Sequence, residues 1–236
     1  MAALRYDRVG MSRSVTWMTH AWIIFEKDLR IEIRTREIVT TAGFFALLVA
    51  ILTSVAFSAG SVGAAPGAMW ISITFASILA LGRTWQRERE ESALVGVLTS
   101  PISRAALFLG KAAGVFAFVT AVEMVVVPTV ALLFHIELLD VALRLSVILA
   151  LGTVGVAATG TLFGAMTVRT RARDLVLASV LFPLLSPTLL SGVAATREIL
   201  DGATFSDLRD YFVLLGTFDV VSLVGGIALF GALVDE

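Results

Sequence analysis

Apolar positions fall in six long blocks, at about residues 38–57, 65–82, 112–134, 145–168, 175–195 and 211–234, with the charges collected in the short stretches between them. Each block approaches the roughly 20 residues that cross a bilayer core. Inside lipid the backbone has no water to bond, so such blocks must be helices. The pattern predicts an all-α membrane protein with six transmembrane helices in one domain over 1–236, leaving no room for a soluble domain.

Two stretches follow a different period. In "WMTHAWIIFEKDLRIEIRTRE", Met18, Trp22, Phe25, Leu29 and Ile33 recur at steps of three and four. Glu26 with Arg30 and Glu32 with Arg36 are spaced as i,i+4 pairs. "LRIEIR" alternates like a strand, but the longer helical stripe outweighs it. The pattern predicts an interfacial helix over 17–37, apolar face toward the lipid.

The second stretch is "GRTWQREREESALVGVLTSPISRAALFLGK", Gly82–Lys111. Leu94, Val97, Leu98 and Pro101 lie at i, i+3, i+4 and i+7, and Arg87, Arg89, Glu90 and Glu91 extend the helix backward. A short amphipathic helix over 87–98 is predicted. Ser100 is its successor's expected N-cap and Pro101 that helix's first residue, running into the third span. Lys111 is expected at the membrane boundary, its head reaching out to the phosphates. Two helices with one joint, each attached to a span, make a lever that a partner could move. A solvated charged loop is the alternative, against which stands an exposed apolar stripe that needs a cover.

Composition sharpens this picture. The chain is 58% hydrophobic and 16% charged, with mean hydropathy +0.92, whereas soluble domains carry about 25% charged residues. A net charge of −1 offers no nucleic-acid signal, and the absence of Cys excludes disulfides, thiolate metal sites and cysteine nucleophiles. The charged start is unlike a signal peptide, so a retained N-terminus is expected. Of the 18 Lys and Arg, only Arg144, Arg197 and Arg209 fall in the first, third and fifth connections between spans, which share one side. The remainder cluster in the N-terminal stretch, the second-to-third connection and Arg169, Arg171 and Arg173. The positive-inside rule places both termini in the cytoplasm.

Candidate chemistry is sparse. No GxxxxGK[ST] occurs, and "LFLGKAAG" fails it at Ala105 and Ala112. HExxH, GxSxG and paired carboxylates are also absent from the sequence. Glu123 and Asp219 lie inside spans, where an acid is costly and marks either a ligand or proton path or a hydrogen-bonded packing residue. Gly160 and Gly164 form a GxxxG, for internal packing or for a partner. Pro183 and Pro187 should kink or break the fifth span, as a fixed bend or a hinge. His20 and His135 are the only histidines; His135, beside Glu137 and Asp140, is a weak ligand candidate and reads first as a loop residue.

"APGAMWISITFASILALGRTWQRERE" followed by "ALVGVLTSPISRAALFLGK" resembles the CcmB family, the B subunits of the cytochrome c maturation system. "FEKDLRIEIRTRE", "VEMVVVPTVALLF" and "LLGTFDVVSLVGGIALFGALVDE" resemble further segments of that family, in its order. The resemblance implies an ABC-2 type permease without catalytic residues in the bacterial inner membrane. It implies a separate cytoplasmic ATPase subunit that holds the ATP, heme-handling membrane subunits and a periplasmic heme chaperone, with no cofactor bound by this chain. The ATPase-facing helix maps to Arg87, Glu88, Glu91, Leu94 and Leu98, and Glu123 and Asp219 match the family's intramembrane acids. Two rival readings keep the same residues: a permease for a lipid or drug, and an ion-coupled secondary transporter using Glu123 and Asp219. A passive assembly scaffold is a third.

Overall fold

The apolar blocks fold as expected into helices. The computed structural model describes residues 13–57, 62–90, 102–167 and 173–235, and among these every regular element is helical. Helix α1 covers Arg13–Thr35, α2 Glu37–Ala56 and, after a short 3-10 turn at Val62–Ala64, α3 Ala65–Glu90. Helices α4 (Arg104–Leu133), α5 (Leu138–Thr167), α6 (Arg173–Leu200) and α7 (Arg209–Asp235) complete the chain. Six of them, α2 to α7, contain stretches long and apolar enough to cross a membrane. The chain is a multi-pass membrane protein. Below, the near end is the one that carries α1.

Helix α1 turns Ile24, Asp28 and Glu32, spaced by four, inward. Its Met18, Trp22 and Ile33 stay uncovered by protein, as an apolar face toward lipid requires. The Glu26–Arg30 pair forms, but the Glu32–Arg36 pair does not. Arg36 leaves the helix with φ 55°, and Glu32 instead accepts the Val39 N–H at 2.8 Å, closing the start of α2.

Helix α3 is the centre of the bundle, packed on α2, α4 and α6. Its hydroxyls are satisfied within the helix: Ser72, Thr74, Ser77 and Thr84 each donate to the carbonyl four residues back, at 2.6–2.8 Å. That removes the cost of carrying them through lipid. Its large side chains enter gaps left by glycine. Trp70 lies between Gly152 of α5 and Gly192 of α6 and donates its indole N–H to Thr196 at 2.9 Å. Leu81 fills the space over Gly160 and Trp85 that over Gly164. The GxxxG is thus used inside the chain, where small residues let helices meet closely.

Three boundaries differ from the sequence pattern. The second span does not stop at residue 82; α3 continues unbroken through Glu90, so Arg87 and Glu88 belong to the span helix itself. The helix that runs into the third span begins at Arg104, not Pro101. Ile102 and Ser103 are non-helical, and the Ser103 hydroxyl accepts the Ala106 N–H, so Ser103 and not Ser100 is the cap. Finally, α6 is not broken by Pro183 and Pro187. Pro187 cannot bond the Pro183 carbonyl, but the Ser186 hydroxyl donates to that oxygen at 2.7 Å in its place.

Candidate functional site

At the near end, charges that the sequence scatters over 80 residues converge. Lys111 is 2% exposed and does not reach outward. Its ammonium points into the bundle, 2.7 Å from Asp28 and in contact with Glu88. Lys27 lies 3.1 Å from Asp28 and 3.2 Å from Glu88. Burial lowers the Lys27 ammonium, but the two carboxylates beside it more than offset this and hold it above its ordinary range. Adjacent to this quartet, Arg87 bridges Glu37 at 3.2 Å and Glu32 at 3.7 Å, and Arg83 meets Glu37 at 3.4 Å. Four cations face four carboxylates, drawn from α1, α2, α3 and α4.

The local sequence explains why this packing is possible. Lys111 sits between Gly110 and Gly114. Gly110 lies against Ala21 and Ile24, and Gly114 against Asp28. A side chain at Gly110 would overlap Ala21 and Ile24 and hold α1 away from α4, whereas a Cβ at Gly114 would only touch Asp28. A buried ion pair is tolerable only when each charge is matched and hydrogen-bonded, and the quartet meets that condition.

Of the residues assigned to a partner-facing helix, Glu88 is turned inward and engaged with Lys111 and Lys27, and Arg87 with Glu32 and Glu37. Glu91, Leu94 and Leu98, with most of the 87–98 segment, lie outside the described residues. Lys27, Asp28, Glu32 and Lys111 carry the cluster and were not read as site residues from sequence. The available signal was the inward period of Ile24, Asp28 and Glu32, and a lysine bracketed by glycines in an apolar helix.

The two intramembrane acids are kept apart. Glu123 of α4 accepts the Thr153 hydroxyl of α5, while Asp219 of α7 packs against Gly155 of α5. Positions 153 and 155 differ by about 200° around the helix and by about 3 Å along it. Glu123 and Asp219 therefore flank opposite faces of α5 at similar depth and share no site. His135, with φ 57°, is the left-handed residue that ends α4, where the Ile136 N–H returns to the Ala131 carbonyl at 2.8 Å. No group of three or more His, Asp or Glu placed to hold a metal occurs among the described residues.

Comparison with known proteins gives a consistent result. The family model described as CcmB protein matches residues 19–233, from α1 into the last turn of α7. Heme exporter protein B of Rhodobacter capsulatus is 29% identical over 187 residues, covering 76% of this chain and 83% of that protein. Heme exporter protein B of Bradyrhizobium diazoefficiens is 28% identical over 217 residues, covering 89% and 94%.

Proposed function

The chain belongs to the CcmB family, and on that premise we propose that it is the membrane permease subunit of an ABC transporter serving heme export and cytochrome c maturation. It is not an enzyme; its sequence holds no P-loop, and ATP is bound and hydrolysed by a separate cytoplasmic subunit. Heme is handled with further membrane subunits and a periplasmic chaperone. The relatives named heme exporter protein B support this assignment; the alignments cover 76% and 89% of this chain and 83% and 94% of those proteins.

The observation that carries the coupling role is the locked near end of α3. This helix is a continuous rod up to Glu90, and its last turns are fixed to α1 and α4 by the buried ion quartet. A push on the 87–98 segment would reach α3 directly and α1 and α4 through the quartet. Glu91, Leu94 and Leu98 form the docking face for the ATPase subunit; Glu88 instead passes the movement inward. Leu94→Asp combined with Glu91→Arg is expected to reduce co-purification of the ATPase subunit by about tenfold or more, as for a central interface residue. Undiminished co-purification and ATPase activity would remove the coupling role.

In this reading the near end and both termini face the cytoplasm, as the Lys and Arg distribution requires. A chain without cysteine makes the test direct. With a membrane-impermeant maleimide on intact spheroplasts, Ser206→Cys, at an exposed far-end loop, should label at once. Thr35→Cys, exposed at the near end, should label only after lysis. The opposite pattern would invert the topology.

A further inference from the structure

The near-end cluster is balanced, with four cations against four carboxylates, and on the outer side of α1 Arg30 pairs with Glu26. The elbow between α1 and α2 is not balanced. Arg34, in the last turn of α1, and Arg36, the residue that separates the two helices, are both exposed. Among the described residues neither guanidinium has a hydrogen bond or an ion pair. Glu37, the carboxylate next to them in the chain, is engaged by Arg83 and Arg87.

Arg36 is also an uncommon residue for its backbone. Its N–H bonds the Glu32 carbonyl at 2.6 Å and its φ is 55°, the left-handed turn that closes a helix. Glycine adopts this conformation without strain and is the usual residue there. An arginine costs stability at this position, and no contact of its side chain with the described residues offsets the cost. A partner outside the chain would.

The depth of the elbow selects that partner. Ile33, immediately before Arg34, lies on the uncovered apolar stripe of α1, and α2 turns Phe44, Leu48 and Val55 outward. The two arginines therefore stand where an interfacial helix turns into a span, at the level of the lipid head groups. The anion most abundant at that level is the lipid phosphate, and the guanidinium fork matches its oxygens in pairs.

We propose that the α1–α2 elbow binds the head group of an anionic phospholipid through Arg34 and Arg36. The site requires only that α1 lies on the membrane surface, and it is independent of the transport reading and of the ion quartet.

The test follows the full chain in detergent by native mass spectrometry, with phosphatidylglycerol and phosphatidylcholine of identical acyl chains as probes. Phosphatidylglycerol is expected to bind saturably and in preference to phosphatidylcholine. Arg34→Gln with Arg36→Gln should weaken that binding by about 30-fold, since each arginine near a membrane surface contributes about fivefold. Arg36→Gly alone should weaken it by about fivefold and yet raise the temperature at which the monodisperse peak is lost, because glycine relaxes the left-handed turn. A purely structural arginine would not separate the two readouts in this way. Glycerol 3-phosphate, a phosphate head without chains, should not displace the lipid; displacement would assign the elbow to a soluble anion and overturn the lipid site. Undiminished phosphatidylglycerol binding by the double variant would also overturn it, and loss of the ATPase subunit from that variant in place of lipid would assign the arginines to a protein partner.

Discussion

Lys111→Met should lower the stability of the folded chain by about 3–5 kcal/mol, the cost of leaving buried charges without their partner. Methionine matches the lysine stem in length, so little packing is lost and the effect isolates the charge. Asp28 and Glu88, 8% and 5% exposed, would then face each other with only the half-exposed Lys27 between them. Loss of the monodisperse peak in detergent on heating measures it. A drop of this size corresponds to a shift on the order of 10 °C for a domain of this length. Adding Glu88→Gln and Asp28→Asn to Lys111→Met removes the orphaned charges and should restore most of the loss, because a neutral set of similar shape replaces a balanced ionic one. Failure of the triple variant to recover would show that the loss does not come from orphaned Asp28 and Glu88 charges. The rescued protein is also informative about coupling. It should fold and assemble, yet transmit less movement from the 87–98 segment, so heme-related activity should recover less than stability does.

The second large effect is expected at the indole of Trp70. Trp70→Ala should cost about 3–5 kcal/mol through the cavity it leaves among α3, α5 and α6. Gly192→Val should be as damaging from the other side, since any Cβ there overlaps the ring. Trp70→Phe keeps most of the volume and loses the bond to Thr196, which is worth about 1 kcal/mol. The order alanine worse than phenylalanine, read by the same heating assay, separates packing from hydrogen bonding. A phenylalanine variant as unstable as the alanine one would place the energy in the indole N–H. Helices in lipid gain nothing from mutual hydrophobicity, so close fits of this kind carry much of their association.

The helices themselves were legible because lipid leaves the backbone no alternative. The six apolar blocks and the stripe of Met18, Trp22 and Ile33 needed only periodicity to be read. The charge cluster was not legible, for a definite reason. Lys111, Asp28 and Glu88 each look ordinary alone: a boundary lysine, and two acids in charged helices. Their meaning arises from which helix faces which, and the close approach of α1 to α4 depends on Gly110. Glu88 was assigned with Arg87, Glu91, Leu94 and Leu98 to a partner-facing helix; in the continuous α3 it is buried and turned inward instead. The start of α4 was misplaced by three residues because Ser100 with Pro101 is a strong local start signal, while the cap in the structure is Ser103, which accepts the Ala106 N–H. The continuity of α6 through both prolines was not legible either; there the Ser186 hydroxyl bonds the Pro183 carbonyl that Pro187 leaves free.

The seam of α3 has a mechanical corollary. Trp70, Leu81 and Trp85 act as teeth seated over Gly152, Gly192, Gly160 and Gly164, so sliding α3 along its axis by even one residue would drive each tooth into a neighbouring side chain. Tilting keeps the teeth engaged. A stroke delivered at the near end can therefore be converted into a swing of α3 together with α5 and α6, and not into a piston movement of α3 past them.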